Sequence, residues 1–327
     1  MELMRGAGPG LRWRRRRLRG HRRAVTAVIG TLLALLVFLS IFGIFLTQYV
    51  PLWMTENELQ LSITVANQMA QIKHDVDLLA LEGLPGRSVS DPVTMQSQGV
   101  PVFAQPTQGI LTFSQNQSLW TNVSFPLYAL DNGVPQLEEP GFFQNTSSDG
   151  VLTMHLPDRY YVPQTYTLEQ DAVLVGQPPS SETMLFTPQA QANVTGTIPA
   201  ASFVLFRIEG NASTVASSGT AQVYSTFVST EMYTSANGSN PFPATISLAT
   251  LFPCAWAQFF NSTYNATFAP LGPPFVTVTV AGHPYSPGVC RAPGTPQIVS
   301  VRLPRVNSFM LTEVLIIMNV GTGNAPR

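Results

Sequence analysis

One lysine, Lys73, occurs in the 327 residues, and charged residues of both signs make up only 11% of the chain. The two cysteines, Cys254 and Cys290, form no C-x-x-C pair and fit no metal or redox motif. The four histidines, His21, His74, His155 and His283, are scattered without ligand spacing. There is no H-E-x-x-H or G-x-S-x-G segment, no P-loop and no G-x-G-x-x-G. These gaps argue against a metalloenzyme, a serine hydrolase of the common type and a nucleotide-binding domain. The chain is therefore expected to be non-enzymatic, with no cofactor and no metal. A surface hydrolase whose site is assembled from sequence-distant residues stays as an alternative.

The charge that is present is uneven. Residues 1–23 hold nine arginines and one glutamate, a net +8, and the remainder carries −9. The cluster "RWRRRRLRGHRR" would suit nucleic acid if it stood alone. Nothing later is basic, and an oily run follows at once, so attraction to anionic lipid headgroups accounts for it and no nucleic-acid partner is expected.

No charged residue lies between Arg23 and Glu56. The stretch from Ala24 to Val50 makes a helix about 40 Å long, ample for a bilayer that needs about 20 residues. A secretory signal has an apolar centre of about 7–15 residues followed by a small-residue cleavage site. The far end here, "FLTQYVPLWMTENE", has no such site. It offers Tyr49 and Trp53 as interfacial aromatics, Pro51 as a bend, and Trp13 as their inner counterpart. A single membrane-spanning helix follows, with the N-terminus cytoplasmic and everything after about residue 54 outside the cell.

The outer part bears marks of that placement. Sequons occur at Asn116, Asn122, Asn145, Asn193, Asn211, Asn237, Asn261 and Asn265, where chance would give roughly two or three. All eight follow the oily run, and they read as glycosylation sites or, more plainly, as polar turns. Cys254 and Cys290 read as a disulfide contributing about 3–4 kcal/mol, with two buried thiols as the alternative.

Four segments are expected: a basic leader (1–23), the spanning helix (24–50), a juxtamembrane helix (51–84) and a β-rich domain (85–327), with a sub-boundary near 195. In the juxtamembrane segment Val65, Met69, Ile72, Val76 and Leu79 form a narrow apolar stripe. It spans only about two heptads, and packing on the chain's own β domain is the preferred reading over a coiled coil. "EGLPGRSVSDPVT" supplies stop signals. Beyond residue 88 about eleven short β-branched runs separated by Pro and Gly point to a mainly β ectodomain, sandwich-like and in one or two lobes. "EVLIIMNV" reads as a buried strand. Asp131, Glu138 and Glu139 read as a solvated acidic loop in preference to a calcium site. Tyr160, Tyr161 and Tyr166 read as strand packing in preference to a sticky patch.

The head "RRAVTAVIGTLLALLVFLSIFG" resembles archaeal type IV pilin-like proteins, in which a basic leader precedes an oily helix. The resemblance implies that a pilin-type leader peptidase cuts between Ala24 and Val25, after Arg23, and retains the helix. It also implies other pilin-like subunits as partners. Bacterial relatives carry glutamate at the fifth mature position, here Ile29. The segment from Asp149 to Phe186 is similar to a subset of archaeal surface proteins with β-rich ectodomains and no assigned activity. The expectation is a cell-surface, pilin-like membrane glycoprotein with a structural or adhesive ectodomain. The alternative is a membrane-tethered module that binds carbohydrate or peptide.

Overall fold

A computed structural model describes residues 17–131, 134–177, 181–196, 198–238, 240–273, 276–286 and 295–322. Residues up to Trp53 and residues from Met54 onward form two compact units.

The first unit is helical: α1 (Arg17–Ile44), a π-helical turn (Phe45–Tyr49), then the start of α2 (Val50–Glu82). An 18-residue stretch has a mean hydropathy of 2.7 and no buried residue, which makes this one helix long and apolar enough to cross a membrane. Leu33, Leu36, Phe38 and Ile41 are all exposed, and a helix apolar all round belongs in lipid or in a large core. Its few hydroxyls are satisfied within the helix, as hydrocarbon requires. Thr31 donates to the Val28 carbonyl, Ser40 to that of Leu36 and Thr47 to that of Gly43. The π-turn sits just before Pro51, whose ring and missing N–H disturb the α-helical ladder. A widened turn is how the chain absorbs that proline.

The second unit is mainly β. Its strands begin with β1 (Ser88–Thr94), β2 (Ile110–Asp131), β3 (Val134–Leu156), β4 (Gln164–Glu169) and β5 (Ala172–Gln177). They continue with β6 (Ser181–Phe186), β7 (Ala190–Thr195), β8 (Ile198–Glu209), β9 (Ser213–Ala216) and β10 (Thr220–Ala236). The last are β11 (Phe242–Thr250), β12 (Thr277–Val280), β13 (His283–Pro284), β14 (Gln297–Val306) and β15 (Ser308–Gly321), with helix α3 (Pro253–Phe260) after β11. One sheet has the order β1-β10-β15-β8-β7, and the other runs β13-β12-β14-β11-β2-β3-β4-β5-β6 with β9 also on β2. β8 and β15 pair in parallel; the other pairings are antiparallel.

Two apolar cores result. The first gathers Leu61, Val65, Met69, Ile72, Val76 and Leu79 of α2 with residues of both sheets, including Val93, Phe113, Leu168, Phe206 and Ile316. The apolar stripe of α2 is thus buried by the chain's own strands. The second core joins Phe203 and Phe309 to β11, β14 and α3, centred on Trp256, Phe260 and Tyr264. The parallel pair serves both cores by using its two faces in turn. Ala201, Phe203 and Leu205 face one core, and Phe206 and Ile208 face the other. The register partners Glu313 and Val314 mark the same crossover on β15. Near it the backbones close in around Phe113. A Cβ at Gly150 would meet the Ile208 carbonyl at 2.3 Å, and one at Gly210 would meet the Met318 carbonyl at 1.9 Å.

Several elements were not expected. "SVSDPVT", read as helix-stop signals, is edge strand β1, paired along its length with β10. The sub-boundary placed near 195 falls inside the β7–β8 hairpin, where Thr195 pairs with Ile198 around Gly196 (φ +66). "PCAWAQFF" is a helix with Phe252 as N-cap and Pro253 in its first turn. Gln258 is its only polar residue and is exposed, too little to mark an amphipathic period in the sequence.

Candidate functional site

The polar chemistry of the second unit concentrates where α2 meets the strands. The apolar stripe of α2 is flanked along its length by side chains that reach strands and loops roughly 26 to 105 residues away in sequence.

Glu58 is wholly buried. Its Oε2 accepts the backbone N–H groups of Tyr160 and Tyr161, both at 2.7 Å. Its Oε1 accepts from Arg159 N at 3.2 Å and from the Thr107 hydroxyl at 2.5 Å. One carboxylate thereby holds the loop after β3 and the segment before β2. Asp158 lies in the same loop, 7% exposed, with neither carboxylate oxygen hydrogen-bonded. Burial first, and then the Glu58 charge, push its pKa up to about 7. Tyr160 is exposed and Tyr161 half-buried, while Tyr166 is buried on β4 against Ser62 and Gln164. The three tyrosines therefore do not form one surface patch.

About three turns further on, Gln68 accepts the Thr94 N–H at Oε1 and donates Nε2 to the Thr94 hydroxyl on β1. Asp75 faces Asp91 of β1. Burial, and then the hydrogen bond and charge of Asp75, raise the Asp91 carboxyl above its ordinary value.

The third group is built on Lys73. Its Nζ donates to Asp77 Oδ2 at 2.8 Å and to Asp171 Oδ2 at 2.9 Å. Asp171 is completely buried and occupies the two-residue turn between β4 and β5. Both turn residues are left-handed, Gln170 at φ +48 and Asp171 at φ +61, where hairpins usually place Asn-Gly. Burial raises the Asp171 carboxyl and Lys73 opposes it. For Lys73 burial works against the charge, but the two carboxylates outweigh it and leave the pKa above the ordinary lysine value. Gln189, just before β7, donates to Asp77 Oδ1 at 2.8 Å.

Beside this group a groove of about 500 Å³ opens between α2 and the five-stranded sheet. His74, Leu78 and Leu81 line the helix side, and Ser202, Met310 and Thr312 line the sheet side. An adjoining hollow of about 350 Å³ runs on past Asn193 and Thr234. The lining mixes the His74 imidazole and the Asp77 carboxylate with hydroxyls, amides, a thioether and aliphatic side chains. Among the described residues no three His, Cys, Asp or Glu side chains come together as metal ligands.

The residues singled out in the sequence lie elsewhere. Arg23, Ala24 and Val25 fall within α1, and their side chains are outside the described residues. So are those of Asn116, Asn145, Asp131, Glu138 and Glu139. Asn193 on β7 and Asn211 are exposed, and Asn122, Asn237, Asn261 and Asn265 are half-buried. Asn265 donates to Asn261 Oδ1 at 2.9 Å across one helical turn. Cys254, at the start of α3, is disulfide-bonded; Cys290 lies outside the described residues. Sequence reasoning missed Glu58, Lys73, Asp91, Asp158 and Asp171. The available signals were the uniqueness of Lys73 and the polar "EQD" set between two apolar runs. No family model, curated protein or solved structure matches this chain.

Proposed function

We propose that the chain is a non-enzymatic cell-surface protein of pilin-like type, held in or assembled from the membrane through its N-terminal helix. Its β-rich part, a sandwich-like ectodomain in this reading, takes a structural or adhesive role outside the cell. The observation that carries the proposal is the apolar helix from Thr26 onward, unburied over its most apolar stretch and preceded by the arginine-rich leader. The positive-inside bias gives the direction, and exposed sequons such as Asn193 and Asn211 suit an outer location. The proposed processing lies between Ala24 and Val25, with Arg23 ending the leader.

N-terminal sequencing of protein purified from its native membrane tests this. A chain starting at Val25 supports pilin-type processing. A retained leader removes processing and leaves a plain anchor. Digestion of the β-rich part by protease added to intact cells supports the outward orientation, and protection that lasts until lysis refutes it.

The groove beside α2 favours a second reading, a membrane-tethered module for carbohydrate or peptide. Its amides and hydroxyls, from Gln189, Gln191, Ser202 and Thr312, are the groups that sugars and peptide backbones use. Binding on a glycan and peptide array that is lost in Ser202→Trp would support it. An array blank throughout would dispose of it.

A further inference from the structure

We propose that Lys73 and Asp171 become joined by an autocatalytic isopeptide bond, with Asp77 as the proton-transferring group, covalently fastening α2 to the β4–β5 hairpin. The reading rests on four observations. Lys73 is the only lysine in the chain. It is buried rather than solvated, with its Nζ at 2.9 Å from Asp171 Oδ2. Asp171 is completely buried, and its Oδ1 has no hydrogen-bond partner. A second carboxylate, Asp77, contacts the same Nζ at 2.8 Å and is one-quarter exposed.

These are the requirements for amide formation between side chains. A 2.9 Å contact to one carboxyl oxygen puts the carbon of that group about 3–4 Å from the nitrogen, near-attack distance. An ionised carboxylate is a poor electrophile, and burial favours the neutral acid; the environment of Asp171 acts in that direction. An ammonium ion is no nucleophile, so a base must take its proton, and Asp77 is in contact to do so. The left-handed turn at Gln170 and Asp171 forgoes the usual glycine and delivers a carboxyl into the interior.

The step balances without any outside reagent. The Asp77 carboxylate takes a proton from the Lys73 ammonium. The freed amine attacks Cγ of the protonated Asp171, and the C–N bond forms. Asp77 passes a proton to the departing hydroxyl as the C–O bond breaks, and it takes the remaining proton from nitrogen. The products are a neutral amide, one water and protonated Asp77, which re-equilibrates with solvent through its exposed edge.

The chain's composition supplies a simple test. The full-length protein is expressed, folded in detergent, then denatured in urea, reduced and digested with lysyl endopeptidase. A free Lys73 lets the enzyme cut once, between residues 73 and 74, giving two fragments. An acylated Lys73 leaves the chain whole. A second digestion with a glutamate-specific protease should yield a branched peptide containing Lys73 and Asp171, lighter by one water than the sum of its parts. Asp77→Asn should be cut, and Lys73→Arg should give unlinked peptides at full mass. Complete cleavage of the wild type overturns the proposal. So does an uncut chain without the branched peptide, and so does an Asp77→Asn chain as resistant as the wild type.

Discussion

Asp158 should contribute stability to the β-rich unit in acid that is lost toward neutral pH, and Asp158→Asn should remove that contribution while the buried Asp91 and Asp171 keep theirs. The carboxyl is 7% exposed, and neither oxygen is hydrogen-bonded. The charged group nearest in effect is Glu58, whose carboxylate is fixed by four donors; Arg159 and Tyr161 flank it in the loop, and Tyr166 faces it from β4. With its folded pKa near 7 against an ordinary 3.8, Asp158 is protonated in both states below about pH 4, and its contribution is then fully present. As pH rises through this window, the unfolded chain releases its proton first, and stability falls until the folded group has also ionised. A gap of about three units corresponds to a ceiling of about 4 kcal/mol, and partial water access brings the expected loss nearer to 2 kcal/mol. Asparagine keeps the shape and cannot ionise. Urea unfolding of the full chain in detergent, followed by fluorescence of buried Trp256 at pH 4 and pH 8, gives the two stabilities of each protein. Asp158→Asn should gain about 2 kcal/mol relative to wild type on going from pH 4 to pH 8. An equal difference between the two proteins at both pH values would refute the reasoning, whatever its sign.

Three further outcomes follow from the same geometry. Glu58→Gln turns one acceptor oxygen into a donor facing N–H or hydroxyl donors, so it should cost about 3 kcal/mol and open the 157–163 segment to limited proteolysis. Gly210→Ala forces a Cβ against the Met318 carbonyl, and the unfolding midpoint should fall by an amount corresponding to at least about 2 kcal/mol. Leu33→Arg puts a charge in the middle of the apolar helix at about 3 kcal/mol, and the share of protein resisting alkaline extraction from membranes should drop.

Legibility in the sequence followed the range of the interaction that decided each element. The apolar helix announces itself because a run that is apolar on every face is recognised from composition alone. The stripe Val65, Met69, Ile72, Val76 and Leu79 was readable as period, and its burial by the chain's own strands was the simpler of two readings. β15 was readable from its run of apolar β-branched residues. The edge strand β1 was not, since "SVSDPVT" carries Pro92 and Asp91, which an edge strand tolerates and a sequence window reads as turn. α3 escaped because its one polar residue, the exposed Gln258, is too little to set a period. The polar seam was invisible for a different reason. Glu58 meets Tyr160 and Tyr161 across more than 100 residues, and Lys73 meets Asp171 across 98. No local window can pair them.

The seam also constrains how copies of the chain can associate. A helix leaving a membrane with a narrow apolar stripe is a natural candidate for a coiled-coil core. Here Met69 and Ile72 are fully buried against strands of the same chain, and Glu58, Gln68 and Lys73 fasten the flanks of the stripe. Freeing it for another helix would break those contacts and leave the Glu58 and Asp171 carboxyls uncompensated. Large-to-small changes at such positions cost about 2–5 kcal/mol each, so exposing six of them exceeds what a short two-heptad interface returns. The face of α2 that remains open carries Leu78 and Leu81 beside the neutral sheet surface of Ser202, Met310 and Thr312. Self-association through this unit must therefore use that face or the sheet edges. Otherwise it falls to the apolar helix that precedes Trp53. Cysteine pairs separate the two routes. Cross-linking between copies at Leu36→Cys but not at Ser202→Cys would place assembly on the apolar helix, and the reverse would place it on the sheet. Cross-linking through Met69→Cys in a folded chain would contradict the buried stripe itself.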